Sequence, residues 1–473
     1  MGGSESKNDY VNDITCFTDE EKDRIHGIFA NISSHDHKID KNLLQVFCEH
    51  SFEGELIEYF YDWMQSLTNN KNHTLTYAQF LRCMSIALRG NVTEKSQLIV
   101  FISSKGRKCT TGEEIVQFVK DVIKSFLKTI TQSIEVKSWN LESTEESIYR
   151  LAVYMLDDLF FTGKEKDRGM TVPVIPTISY TEEDIDQWLS KSYLFLHVID
   201  RVLNHCFTIY SEEEMRSRNV KPRIPLIKNI NWTKLKSLLD YPTLIYLNSN
   251  LPADLQREWR LLFSNYLYGD SFVQLVGRIL SQGPTVVMVK DKNGHVFGGF
   301  ASENWKKNSN FYGDGKCFLF QLKPFLSTYT PTGYNNHFQY FNQHVHTLPN
   351  GLGFGGQLEY FGLWIDQSFS NGHSKAGPRC TTYGSPQLSK AAEFEVDTIE
   401  VWGVGPEPNI DDEDFEGMTE EEIKSRRSIL DKDPGAKAML TLIGKTPHSE
   451  GLREGDELAN SPEETTSTVI SLF

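Results

Sequence analysis

Apolar residues recur at helical spacing along the first third of the chain, from Thr18 to about Leu159. One such run comprises Ile115, Phe118, Val119, Val122, Ile123 and Phe126. Residues three and four apart lie on one face of an α-helix, so the pattern predicts amphipathic helices that bury one side. Thr18 followed by Glu21 fits a capping box at the start of the first helix. We therefore predict an all-helical domain over residues 18–160, preceded by a flexible segment at 1–17.

Glycine and proline interrupt the helical pattern after this domain. They stand at Gly163, Gly169, Pro173 and Pro176. Both residue types break helices, so residues 161–180 are predicted to form a linker. Two further helices are predicted at Glu182–Ile209 and Trp232–Leu239, within a helical linker region that spans residues 181–241.

The pattern changes from helical to β-rich after Pro242. Helices are predicted at Ala253–Ser264 and Ser271–Leu280, followed by strands at Thr285–Lys290, His295–Ala301, Lys316–Leu322, Tyr360–Asp366 and Glu395–Val404. Asp291 to Gly294 separates the first two strands and ends in Asn-Gly, which suits the positive φ angles of a tight hairpin turn. Because strands and helices do not alternate, we predict an antiparallel, sandwich-like sheet domain over residues 242–405. The fold class is therefore α+β.

The last segment, residues 406–473, is acidic. It carries 17 acids and 7 bases, and so supplies −10 of the net charge. Asp433-Pro434 predicts a helix start that Gly444 can end. The apolar residues that we select as partner-binding are Ile429, Leu430, Met439, Leu440 and Ile443. This helix is too short to be stable alone in water, so it either docks on the chain's own sheet domain or binds a partner.

Composition excludes several classes of protein. The chain has 473 residues and a formal net charge of −16, which argues against a nucleic-acid binder because phosphate binding requires a surplus of Lys and Arg. No run approaches the about 18 apolar residues of a membrane span. The seven cysteines stand far apart without a CxxC pair, so neither a disulfide framework nor a zinc ribbon is expected. The first residues lack the features of a secretory signal, and we expect an intracellular protein.

The first six residues fit the pattern M-G-x-x-x-S/T, with Gly2 exposed after removal of Met1 and Ser6 in place. This pattern predicts N-myristoylation of Gly2. One myristoyl chain binds membranes only marginally, so stable attachment requires a second contact. Lys7 is the only base among the first 20 residues, which leaves a protein partner on the membrane as the better second contact.

Two segments of the helical domain have the outline of EF-hand loops. With Leu75 at the eighth loop position, Thr68 is first, Asn70 third, Asn72 fifth, His73 sixth and Gln79 twelfth. With Ile39 at the eighth position, Asp36 is fifth, His37 sixth and Leu43 twelfth. Calcium requires acids at the loop ends and glycine at the sixth position. We therefore predict a degenerate EF-hand-like pair that serves as a scaffold and binds no calcium.

Other candidate chemistry is sparse. Gly351 to Gly356 formally match the dinucleotide pattern G-x-G-x-x-G, but a strand rather than a helix is predicted to follow, so we predict a glycine-rich turn that allows close packing. His337, His344, His346, His373 and Cys380 lack the ligand spacing of a zinc site. Cys317 or Cys380 beside one of these histidines is an alternative nucleophile. We predict no metal site, no cofactor and no catalytic residue.

Several motifs in the β-rich segment resemble those of the TLDc domain. They are Leu262–Ser264, Gly298–Ser302 with Trp305, Cys317–Phe320, Gly333–Asn335, Gly351–Gly356, Tyr360–Asp366 and Ile399–Gly405. Their order and number make the resemblance specific over about a third of the chain. The start of the chain, its helical half and the tail segment His448–Glu454 also resemble one branch of this family.

The resemblance implies a two-sheet β core wrapped by helices, without established catalytic residues. It also implies binding to the cytosolic V1 sector of the vacuolar proton pump (V-ATPase). For this branch it implies a link to mTOR signalling and a place on the cytoplasmic face of the lysosomal membrane as well as in the cytoplasm. Some relatives are described as protecting against oxidation, which keeps a thiol-based activity of Cys317 or Cys380 as the alternative.

Overall fold

The computed structural model describes residues 16–34, 37–67, 74–131, 133–161, 173–207, 222–227 and 230–408. A helical N-terminal half precedes an antiparallel β domain, as the sequence predicts. The α-helices are α1 Asp19–Ile32, α2 Lys41–Cys48, α3 Leu56–Ser66, α4 Tyr77–Arg89, α5 Val92–Ser103, α6 Gly112–Ile130, α7 Ile134–Ser138, α8 Glu145–Met155, α9 Asp157–Phe160, α10 Glu182–Leu189, α11 Tyr193–Cys206, α12 Tyr241–Asn250, α13 Asn265–Tyr268 and α14 Phe272–Ile279.

The strands are β1 Thr110–Thr111, β2 Ser179–Tyr180, β3 Leu226–Ile227, β4 Glu258–Ser264, β5 Thr285–Asp291, β6 Val296–Ala301, β7 Phe318–Lys323, β8 Ser327–Tyr329, β9 Gln339–Asn342, β10 Gly351–Gln357, β11 Tyr360–Asp366, β12 Asn371–His373 and β13 Glu393–Val404. None of the helices in these described ranges is long and apolar enough to cross a membrane.

Side-chain caps define where the N-terminal helices begin. At α1 the predicted capping box is present: the backbone N–H of Glu21 donates to Thr18 Oγ1 at 3.2 Å, and that of Thr18 donates to Glu21 Oε2 at 3.0 Å. Capping boxes also start α4, α5 and α6. Each cap satisfies backbone N–H groups that a helix start leaves unpaired.

The two residues that the sequence places at the eighth positions of the EF-hand-like loops lie side by side. Ile39 and Leu75 exchange backbone hydrogen bonds of 3.0 Å in each direction, and both are fully buried. Gln79 caps α4, since its Oε1 accepts from the backbone N–H of Thr76 at 2.9 Å. The other proposed loop positions at Asp36, Thr68, Asn70, Asn72 and His73 lie outside the described residues.

Eleven strands form the sheet of the β domain. Nine of them follow one hydrogen-bonded path in the order β8-β7-β6-β5-β13-β12-β11-β10-β9, while β4 pairs with β13 off this path and β3 pairs with β4. All of these pairs are antiparallel except β3–β4. Strand β13 belongs to both halves, and its register shifts at Val396/Thr398 and at Val401/Trp402. Such irregularities bend a strand.

The two halves of the sheet pack face to face. A Cβ atom at Gly299 of β6 would lie 2.9 Å from the ring of Phe354 in β10. The space between the halves is filled by buried side chains from both, including Phe263, Phe341 and Leu363. The architecture is therefore a two-sheet β core, as the resemblance implies.

The helical half covers the outer face of the sheet half that contains β4 to β7. Trp139, which follows α7, lies 5.5 Å from Trp402 of β13 and 6.3 Å from Trp259 of β4, measured between ring centroids. One continuous apolar cluster joins these rings to the cores of the N-terminal helices. The outer face of this sheet half is therefore buried, whereas the turn that joins β10 to β11 is exposed to solvent.

The predicted helix at Trp232–Leu239 is wrong. The structure has turns and extended chain there, and α12 begins only at Tyr241. Asn231 Oδ1 accepts from both the backbone and the hydroxyl of Thr233, and the backbone N–H of Leu238 donates to Glu400. These local and tertiary hydrogen bonds replace the helical ones.

The predicted helix at Ala253–Ser264 is also wrong. Only Ala253–Leu255 is helical, as a 3-10 turn, and Glu258–Ser264 is strand β4. Residues of β4 pair with β13, more than 130 positions later in the chain. Long-range pairing has overridden a short apolar pattern that fits either structure.

Two smaller predictions are corrected as well. The helix predicted at Glu182–Ile209 is split into α10 and α11 by residues 190–192, and Ile209 lies outside the described residues. Gly351 to Gly356 form strand β10 rather than a turn. The close packing expected of these glycines is present, since a Cβ atom at Gly353 would lie 2.7 Å from the ring of Phe361.

Candidate interaction surface of the β domain

Three loops meet at one end of the β domain and are joined by hydrogen bonds. Thr382 Oγ1 donates to Asn335 Oδ1 at 2.7 Å and accepts from the backbone N–H of Gly356 at 2.9 Å. The backbone N–H of Thr332 donates to the carbonyl of Thr382 at 2.8 Å. The loop after β8, the end of β10 and the loop after β12 therefore form one connected base.

Three large apolar side chains project from this base into solvent. Tyr334 is 79% exposed, Tyr360 is 56% exposed and Leu358 is 37% exposed. We call these three residues the loop end. Exposed aromatic side chains on an ordered base are typical of protein-binding surfaces, because Tyr buries a large area at little cost in side-chain entropy.

Backbone geometry at Gly355 and Gly356 fixes the base. Their φ angles are +67° and +81°, in the left-handed region that glycine adopts without steric cost. A Cβ atom at Gly355 would also lie 2.7 Å from Cys380 Sγ and 2.7 Å from the ring of Tyr383. Only glycine allows the strand to end against these two buried side chains.

The histidines of this domain have separate environments. His337 stacks on Phe311 with ring centroids 4.4 Å apart, and its Nδ1 lies 2.6 Å from the carbonyl oxygen of Gly356. His344 and His346 are exposed. Burial, together with the charge of Lys375, lowers the pKa of His373 to about 4. Within the described ranges, no group of three or more His, Cys, Asp or Glu side chains is arranged to hold a metal ion.

Cys317 and Cys380 are parts of the packed core. Both side chains are buried, and burial raises the pKa of each thiol above its ordinary value. Cys317 Sγ lies 3.1 Å from the hydroxyl of Ser302, and Cys380 packs beneath Gly355. A catalytic cysteine that reacts rapidly needs a depressed pKa and access to solvent, and both thiols show the reverse.

A buried carboxylate connects the β domain to the chain before it. Glu400 is fully buried in β13 and accepts hydrogen bonds from the Ser237 hydroxyl at 2.9 Å, from the backbone N–H of Leu238 and from Trp402 Nε1. Burial raises the pKa of Glu400 to about 7, against the opposing effect of these donors. This residue holds residues 237 and 238 on the sheet.

The functional residues selected from the sequence differ from those that the structure places at the candidate surface. Gly2 and the partner-binding residues Ile429, Leu430, Met439, Leu440 and Ile443 lie outside the described residues. The residues that the sequence analysis did not select include Tyr334, Leu358, Tyr360 and Glu400. Tyr334 and Tyr360 stand in two of the family motifs, but exposure depends on tertiary packing and has no local signature in the sequence.

Comparison with known proteins agrees with this architecture. Residues 232–405 match the model of the TLDc domain, so the sheet domain is a TLDc domain. The match begins before α12 and includes residues 237 and 238, which donate hydrogen bonds to Glu400.

Relatives cover nearly the whole chain. The MTOR-associated protein MEAK7 of Gallus gallus is 38% identical over 96% of this chain and 98% of its own length. The proteins of that name from Xenopus laevis and Homo sapiens are 38% and 34% identical, over 97% and 96% of this chain and 99% of their own lengths. The chain therefore belongs to the family of the MTOR-associated protein MEAK7.

Proposed function

We propose that this protein is a non-enzymatic adaptor that binds the V1 sector of the vacuolar proton pump, regulates the pump and supports mTOR signalling. The observation that carries the proposal is the loop end, in which Tyr334, Leu358 and Tyr360 project from a hydrogen-bonded base. The TLDc domain makes the primary contact with V1, and the tail with Met439, Leu440 and Ile443 makes the second.

Two kinds of relationship support this assignment. The names of the relatives refer to association with mTOR, which favours a role in the same signalling system. Membership of the TLDc family favours the pump as the partner. Two linked contacts raise the overall affinity without either being strong alone, which suits an adaptor that must also dissociate.

The proposed location is the cytoplasmic face of the lysosomal membrane, together with the cytoplasm. A myristoyl group on Gly2 supplies a weak and reversible membrane contact. Binding to V1 supplies the second contact that stable attachment requires. The protein is then retained where its partner is assembled, and released when either contact is lost.

The environment of the thiols disfavours the alternative, a thiol-based oxidation-resistance protein that uses Cys317 or Cys380. Both side chains are buried, and burial raises their pKa values. The thiolate is the nucleophilic form, so each would be a poor nucleophile at neutral pH. Their positions against Ser302 and Gly355 fit a role in packing.

Binding to purified V1 tests the proposal. The double variant Tyr334→Ala/Tyr360→Ala is expected to weaken binding by at least about tenfold, because truncating central aromatic contacts costs more than 1 kcal/mol. Tyr266→Ala is the matched control, since Tyr266 is 64% exposed on α13 of the same domain. Full affinity in the double variant would rule out the loop end as the contact. Equal loss in the control would show that the effect is not specific to the loop end.

A further inference from the structure

Two buried thiols of the helical half face each other. Cys48 is the last residue of α2, Cys206 is the last residue of α11, and their Sγ atoms are 3.1 Å apart. Both residues are completely buried, and both thiols are free. The pair joins segments separated by 158 positions, which explains why the spacing of the cysteines gave no sign of it.

A hydroxyl and an imidazole lie beside this pair. The Ser51 hydroxyl lies close enough to the Cys206 thiol to lower its pKa, and Ser51 Oγ lies 3.0 Å from His205 Nδ1. Burial and the nearby His50 and Arg201 lower the pKa of His205, which favours the neutral form of its imidazole. The hydroxyl of Ser51 therefore connects the buried thiol to a half-buried base.

We propose that Cys48 and Cys206 are a modification site at which a hydroperoxide forms a reversible intramolecular disulfide. The proton of the Cys206 thiol passes through the Ser51 hydroxyl to His205. The Cys206 thiolate then attacks hydrogen peroxide, which breaks the O–O bond and gives a sulfenic acid and a hydroxide that takes the proton back from His205 to become water. Cys48 attacks that sulfur, the S–S bond forms, and a second water leaves. Two thiols lose two electrons and two protons, and one peroxide becomes two waters.

The surroundings set the rate of this reaction. Burial and the neighbouring Cys48 raise the pKa of Cys206 well above its ordinary value, so the thiolate is scarce while both helices are in place. Both sulfurs sit at helix C-termini, where local opening costs less than global unfolding. The sulfurs must approach by about 1 Å to reach the 2.05 Å of a disulfide. Oxidation is therefore slow, and its product fixes α2 to α11.

Peptide mapping of the full-length, reduced protein after treatment with hydrogen peroxide tests the proposal. Free thiols are alkylated, the protein is digested without reductant, and peptides are identified by mass. The expected product is one cross-linked pair that carries Cys48 and Cys206, two hydrogens lighter than its parts and released by dithiothreitol. Alkylation of both cysteines as separate peptides, in a sample whose exposed Cys16 has oxidised, would overturn the proposal.

Three variants distinguish the proposed route from general oxidation. Cys48→Ser should abolish the cross-link and leave a sulfenic acid on Cys206. Cys83→Ser is the matched control, because Cys83 is equally buried and its Sγ contacts the Met64 carbonyl at 3.9 Å. Ser51→Ala should slow formation of the Cys48–Cys206 cross-link several-fold without changing its final yield. An unchanged rate would show that Ser51 takes no part in the reaction. Should Cys48→Ser fail to fold, the map of the unaltered chain still decides the main proposal.

Discussion

The Oε1 atom of Glu400 accepts a hydrogen bond of 2.8 Å from the backbone N–H of Leu238, across 162 positions of the chain. Trp402 Nε1 and the Ser237 hydroxyl donate to the other carboxylate oxygen. Three donors thus surround one carboxylate that is fully buried. The contact replaces the helix predicted at Trp232–Leu239, and it attaches that segment to the longest strand of the TLDc domain.

Stability should depend on pH through Glu400. Burial raises its folded pKa from 4.5 to about 7, so the folded state binds the proton more tightly than the unfolded state. The resulting stabilisation is complete below about pH 4.5 and is lost as the pH rises to about 7, with a total on the order of 3 kcal/mol. Urea unfolding at intervals from pH 5 to pH 8 measures this change.

The variant Glu400→Gln isolates the contribution of this group. Glutamine is a neutral isostere of the protonated acid, so its unfolding free energy should lack the decrease between pH 5 and pH 7. The difference between the two proteins should be constant above about pH 7.5. Parallel pH profiles for the two proteins would show that Glu400 does not titrate in this range.

Gly355 should be intolerant of any side chain. Gly355→Ala forces a Cβ atom to within 2.7 Å of Cys380 Sγ at a φ of +67°, and should destabilise the TLDc domain by about 2 kcal/mol or more. Gly315→Ala is the control, because no atom lies within 4 Å of its Cβ position and its φ is ordinary. Thermal unfolding of both variants measures the difference. Equal melting temperatures would contradict the packing described for β10.

Acylation of Gly2 should be visible in the mass of the protein from eukaryotic cells and in its location. Gly2→Ala is expected to move part of the protein from membranes to the cytosol, because one acyl chain is a weak anchor and the proposed contact with V1 would retain the remainder. Fractionation of cells that express each form measures the shift. An N-terminus that is free or acetylated in the unaltered chain would contradict the prediction.

Local features of the sequence predicted local structure well. The Asp291–Gly294 hairpin was confirmed, because Gly294 has a φ of +86° and its backbone N–H donates to the Asp291 carbonyl at 3.0 Å. The capping box at Thr18 and Glu21 was also confirmed. In both features the hydrogen-bond partners lie within four residues of each other. Short-range chemistry decides such elements without help from the rest of the fold.

Features that depend on distant segments were missed or misassigned. Glu258–Ser264 was predicted as a helix but forms a strand that pairs with β13. Residues 237–239 were also predicted as helical, but hydrogen bonds to Glu400 and Ser237 hold them in a non-helical conformation. The loop end was not selected, since exposure of Tyr334 and Tyr360 follows from how three loops meet. The pairing of Cys48 with Cys206 likewise requires the packing of α2 near α11.

The most direct test of the adaptor proposal is a cycle of four affinities for purified V1. The proteins are the full chain, the double variant Tyr334→Ala/Tyr360→Ala, the chain truncated after Pro408, and the truncated chain that also carries the double substitution. We expect each change to weaken binding and the combination to abolish it, with the melting temperature of the TLDc domain nearly unchanged by truncation. Unaltered affinity in all three altered proteins, or a truncation that lowers the melting temperature and spares binding, would contradict the account.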